Sequence, residues 1–170
     1  MKNNALSIAN YFIELANNES EEVKPLKLMK LVYIAHGYIL ATLNKSALNP
    51  RFDRVEAWKF GPVIPSVYHS FKSYGNKGIT ELTSIFKEEN FNEDSPEIEI
   101  PILNGEDEKY VCNFVWRNYG KYSGSDLVTM LHLEGTPWSI VYKEGKNVEI
   151  PDELTKSYYK TLVEELLQDE

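Results

Sequence analysis

The chain has 170 residues, of which 42% are hydrophobic, 26% charged and 12% aromatic, including eleven tyrosines. This composition excludes a disordered or low-complexity protein, and the length suffices for one domain that buries roughly two-thirds of the surface its unfolded form exposes. A net charge of −8 opposes long-range attraction to nucleic acid, and the single cysteine, Cys112, excludes an internal disulfide and a structural thiolate zinc site.

In chain order, residues 5–16 place Ile8, Tyr11, Phe12 and Leu15 on one helical face between asparagines suited to capping. An acidic linker at 19–22 follows, and Pro25 fits the first turn of a second helix over residues 25–43. That segment is apolar nearly all round, so it is expected to run through the centre of the domain. Lys24, Lys27 and Lys30 recur every third residue and read as its one wet stripe, with the N-terminal half of the helix in solvent and the C-terminal half enclosed.

Residues 44–50 read as a loop and residues 55–60 as a short strand. Gly61, Pro62 and Pro65 force a turn, after which a third helix runs from Pro65 to Tyr74 and stops at Gly75. Residues 79–86 suggest a short helix and residues 88–94 an acidic surface loop. Residues 97–100 alternate like an edge strand and are expected to pair with 55–60 in a two-stranded antiparallel ribbon.

Residues 106–119 form the next predicted helix, with Tyr110, Phe114 and Cys112 inward and an acidic first turn that complements the helix dipole. Ser123 or Ser125 caps a helix reaching Leu133, Thr136 caps another with Pro137 at its first position, and Pro151 opens a last helix over residues 152–167. The fold class is therefore mainly α, a single helical domain over residues 1–170 around a buried central helix, with a minor two-stranded β-ribbon. The start, Met1-Lys-Asn-Asn, has no signal core and no apolar run approaches roughly 18 residues, so a cytoplasmic protein with no membrane contact is expected.

Catalytic signatures are missing. His36 projects from an apolar face of the second helix and reads as a hydrogen-bonded core histidine, while His69 beside Tyr68 reads as surface or packing. His132-Leu-Glu134 has the first half of a zinc-deaminase motif but no Pro-Cys-x-x-Cys follows, and the three histidines share no ligand spacing. There is no Gly-x-Ser-x-Gly and no phosphate-binding glycine loop. The expectation is a non-enzymatic protein with no cofactor, against the alternatives of a hydrolase with an unrecognised site or a nucleic-acid-binding regulator.

Three segments carry more specific information: Lys-Leu-Met-Lys-Leu-Val-Tyr at 27–33, Glu-Ala-Trp-Lys-Phe-Gly-Pro-Val at 56–63, and Thr136-Pro137-Trp138. In order and wording they resemble the Panacea domain, the SocA/GepA-like family of phage- and prophage-associated antitoxins, over residues 5–142. The resemblance implies a mainly helical module that binds and neutralises a cognate toxin encoded nearby. It would do so by masking the toxin's active site, by locking the toxin in an inactive form, or by bridging it to a cellular protease.

Charge is unevenly spread. Residues 23–77 hold nine basic and two acidic residues, so this third of the chain is +7 while the remainder carries −15. One-signed surfaces steer oppositely charged partners, and aromatic residues and cations anchor interfaces. A basic, aromatic-edged patch of Lys27, Lys30, Trp58, Lys59 and Tyr68 is accordingly the expected partner-facing surface. The last helix spreads Tyr and Leu evenly enough to permit a homodimer.

Overall fold

A computed structural model describes residues 3–87 and 97–168. Its organising element is α2 (Pro25–Leu43), which starts with proline in its first turn and ends where Asn44 turns left-handed at φ 53°. Every residue from Leu28 to Leu40 is buried. Around it pack α1 (Ala5–Glu19), α3 (Pro65–Phe71, continued by a 3-10 turn over Lys72–Tyr74), α4 (Glu106–Tyr119), α5 (Gly124–Leu131) and α7 (Asp152–Gln168); α6 (Pro137–Val141) adjoins α7. The fold is mainly α, as the apolar second segment requires.

Enclosure on all sides overturns the expected wet stripe. Only Lys24 is exposed; Lys27 is half-buried and Lys30 is wholly buried, because α5 and a β-hairpin cover the face that the lysines share. By length and a mean hydropathy of 1.3, α2 would pass for a membrane span, which corrects the expectation that no segment approaches that length. Its 67% burial inside the protein is that of a core helix, and the packing helices supply its apolar surroundings.

Local signals place most helix ends. Asn4 accepts from Ser7 N at 2.8 Å in a reciprocal capping box that opens α1. Ser123, and not Ser125, caps α5 through the same device with Asp126, and α5 stops at Leu131 because Thr136 Oγ1 donates to the carbonyls of Leu131 and Leu133. Thr136 caps α6, with Pro137 at its first position. In α4, Cys112 is buried and Phe114 half-buried, whereas Tyr110 is 75% exposed, contrary to its expected inward position.

The strand pairing differs from the sequence expectation. β1 (Glu56–Trp58) pairs antiparallel with β2 (Gly61–Val63) and with β5 (Val148–Glu149), in the order β2-β1-β5. Gly61 takes φ +100°, which closes a two-residue loop of Lys59 and Phe60, so β1 folds straight back on its successor. β4 (Ile98–Glu99) pairs instead with β3 (Ile85–Phe86). Residues 79–86 hold no helix: buried Asn10 donates to Thr83 O and Pro101 O and accepts from Thr83 N, and Ile79 N donates to Val23 O. Those bonds claim the backbone groups a helix would need. The acidic loop expected at 88–94 lies outside the described residues.

Candidate interaction surface

The β1–β2 hairpin carries the aromatic block at its tip and is braced from four directions. Glu56, nearly buried, accepts from Arg54 Nε at 2.6 Å with one carboxylate oxygen and from Trp58 Nε1 at 2.7 Å with the other. Trp138 Nε1 donates to Trp58 O at 2.8 Å, which ties the hairpin to α6. Tyr68 on α3 meets the Trp58 ring edge-to-face, centroids 4.9 Å apart. From beneath, Lys30 Nζ donates to Pro62 O at 2.9 Å.

The braced tip leaves Lys59 and Phe60 in solvent. Phe60 is 63% exposed, with Lys59 Nζ 5.6 Å from its ring centre, and Lys72 lies 5.9 Å from the Tyr68 ring. Cations over aromatic faces at the end of a fixed hairpin offer a rigid contact surface with little conformational entropy left to lose. Phe60 was not among the sequence candidates, though its neighbours were; the two-residue turn that exposes it became visible only with the register of the hairpin.

Of the sequence candidates, Trp58, Lys59 and Tyr68 do meet at this surface. Lys27 does not join them: its ammonium donates to the Gly120 carbonyl and lies 5.6 Å from the Trp116 ring, at the junction of α4 and α5. Burial lowers the Lys27 pKa, against the opposing pull of Glu21. Lys30 lies beneath the hairpin, where desolvation lowers its pKa to about 7, so it braces the surface from inside.

The three histidines are kept apart. His36 is wholly buried with Nε2 at the Asp152 carboxylate, His69 is exposed on α3, and His132 stacks on Trp138 with ring centres 3.7 Å apart. Tyr142 continues that stack on the other face of Trp138 at 4.4 Å. His132 Nε2 is buried without a hydrogen-bond partner, and its pKa is lowered by burial first and by Lys30 second. Among the described residues no group of three His, Cys, Asp or Glu side chains is placed to hold a metal ion. Burial pushes the Cys112 thiol up to about 12, far from the thiolate a nucleophile needs.

The three segments that stand out in the sequence lie in α2, the β1–β2 hairpin and the start of α6. Residues 28–139 match the family model described as antitoxin SocA-like, Panacea domain. The chain belongs to this family. One relative of this Panacea-domain chain, antitoxin SocA of Caulobacter vibrioides, is 29% identical over 161 residues, which is 92% of this chain and 82% of that protein. No solved structure matches the chain. The Panacea match spans most of the core helix α2, the braced hairpin, α3, α4, α5 and the cap of α6.

Proposed function

We propose that the protein is an antitoxin that binds and neutralises a cognate toxin encoded beside it, acting as one module along its length in the cytoplasm. It works by contact and not by catalysis. Membership of the antitoxin SocA-like family and the likeness to a named antitoxin support the antitoxin role. The observation that carries the contact surface is the solvent-facing tip of the β1–β2 hairpin, where Phe60 stands 63% exposed beside Lys59 on a scaffold fixed by Glu56, Trp138 and Tyr68. Such anchors, aromatic and cationic on a rigid support, dominate the energy of protein interfaces.

On this reading Trp58, Lys59, Phe60 and Tyr68 face the toxin, Lys72 extends the cationic rim, and Lys30 supports the hairpin from within. The toxin presents a complementary acidic or apolar surface. Prophage association of the gene pair belongs to the same reading, as does the choice among masking, locking and delivery to a cellular protease.

The test is co-expression with each flanking open reading frame, scoring host growth and co-purification. A neighbour that is toxic alone and harmless with the protein supports the reading, and Lys59→Glu combined with Phe60→Ala is expected to abolish both rescue and co-purification. Rescue accompanied by falling toxin levels points to protease delivery, whereas steady levels point to masking or locking. If no neighbour is toxic or co-purifies, the antitoxin reading fails.

A further inference from the structure

Away from the hairpin, α4 and α7 diverge over the C-terminal end of α2 and leave an apolar groove of about 410 Å³. Tyr38 and Phe114, in edge-to-face contact at 5.1 Å, form its floor together with Val163. Its rims are Tyr110, 75% exposed, and Leu166 and Leu167, 47% and 67% exposed. A pocket for a small apolar ligand would bury its lining, yet here the largest apolar groups stand in solvent along two helices, an arrangement suited to a long cover.

The charges around the groove specify the cover. Asp107 lines one end, and Glu164 stands beside Leu167 at the edge of the α7 face that carries Val163, Leu166 and Leu167. Two nearby cations are already engaged, Lys45 with Glu108 at 2.8 Å and Lys109 with Glu106 at 3.0 Å, while Lys156 and Lys160 lie further back on α7. We propose that this groove docks the apolar face of a basic amphipathic helix from a partner protein, with leucine-like side chains between α4 and α7 and lysines or arginines over Asp107 and Glu164. The surface shares no residue with the hairpin tip, so this docking and the toxin reading stand or fall separately.

Fluorescence anisotropy with a labelled amphipathic Leu/Lys peptide of about 14 residues tests it, with a Leu/Glu peptide of the same pattern as control. Saturable binding of the basic peptide, and about tenfold weaker binding to Leu167→Glu, supports the groove. Leu167 is exposed, so the change leaves the core intact. The substitution also separates docking from diffuse attraction to an acidic protein. Added negative charge strengthens diffuse attraction but weakens docking, while Ile140→Glu, which places the same charge on exposed α6, is expected to leave binding within twofold. Equal or tighter binding to Leu167→Glu, equal binding of the acidic peptide, or no saturable binding would overturn the proposal. So would light scattering that finds a dimer dissolved by Leu167→Glu, since a second copy would then cover the groove.

Discussion

His36, wholly buried at the middle of α2, holds Nε2 2.9 Å from Oδ1 of Asp152 in the first turn of α7, so a polar link joins the core helix to the last helix. The imidazole N–H donates to the carboxylate, and His36 Nδ1 is buried with no partner. The bond from His36 is the main cause that holds the Asp152 carboxyl below its ordinary range.

Asp152→Ala removes the acceptor and strands a buried N–H, which costs roughly 1–3 kcal/mol. The carboxylate's own contribution is fully present above its unfolded pKa, near about 4, and is lost as pH falls through the lower folded value. Urea melts between pH 2 and 7 are therefore expected to show a lower midpoint for the variant at neutral pH and a gap that narrows in acid. A gap that is constant across the range would mean that the ionised carboxylate plays no part.

Gly37 lies in the interior of α2, where glycine costs about 1 kcal/mol of helix propensity relative to alanine. The reason is α7: a Cβ on Gly37 would stand 2.3 Å from the Tyr159 ring, which is itself buried between Tyr33 and Tyr38. Gly37→Ala is expected to lower stability by about 1–3 kcal/mol despite the propensity gain, because neither the ring nor the helix backbone can yield. Thermal melts check it, and a raised melting temperature would contradict the close approach of α2 and α7.

How much of this was legible in the sequence follows from the range of the forces involved. The helix starts at Pro25, Thr136 and Pro151 rest on chemistry within a few residues and are readable along with the central position of α2, while the α5 cap is readable only as Ser123 or Ser125. Burial of Lys30 is not readable, because it depends on a hairpin 32 residues away whose carbonyl accepts from the ammonium. β4 does not pair with β1 because the two-residue turn at Gly61 gives one edge of β1 to β2 and β5 takes the other, a choice that alternation alone does not encode. Residues 79–86 looked helical by their own spacing, yet Asn10, 73 residues earlier, holds Thr83 extended. At the hairpin tip, the sequence marks Trp58, Lys59 and Tyr68 as candidates but not Phe60, and the groove at Tyr110 escapes notice because the spacing on α4 implies that this ring faces inward.

Cys112 is fully buried in α4, and burial pushes its thiol up to about 12. Native protein is expected to resist iodoacetamide at pH 8, with modification appearing only as urea unfolds the chain, so that labelling follows the unfolding curve. Rapid modification without denaturant would show that α4 opens locally.

Lys30 sets the alkaline behaviour. The unfolded chain keeps this proton up to about the ordinary 10.5, whereas the folded protein releases it near 7 because the ammonium is desolvated beneath the β1–β2 hairpin with Pro62 O as acceptor. Between those values the folded state binds fewer protons, so stability rises with pH from about 7 towards 10.5; below 7 both states are charged and the desolvation cost is present in full. Lys30→Met fills similar volume without the charge and loses one hydrogen bond, for a net gain of about 1–3 kcal/mol at pH 6. Chemical denaturation at pH 6 and pH 9 is expected to show wild type more stable at the higher pH and the variant unchanged by this site. If the variant retains the wild-type rise, another group supplies it and Lys30 is solvated in the folded state. If the variant is destabilised at both pH values, the bond from Lys30 to Pro62 outweighs the cost of burying the charge, and the hairpin depends on its lysine brace.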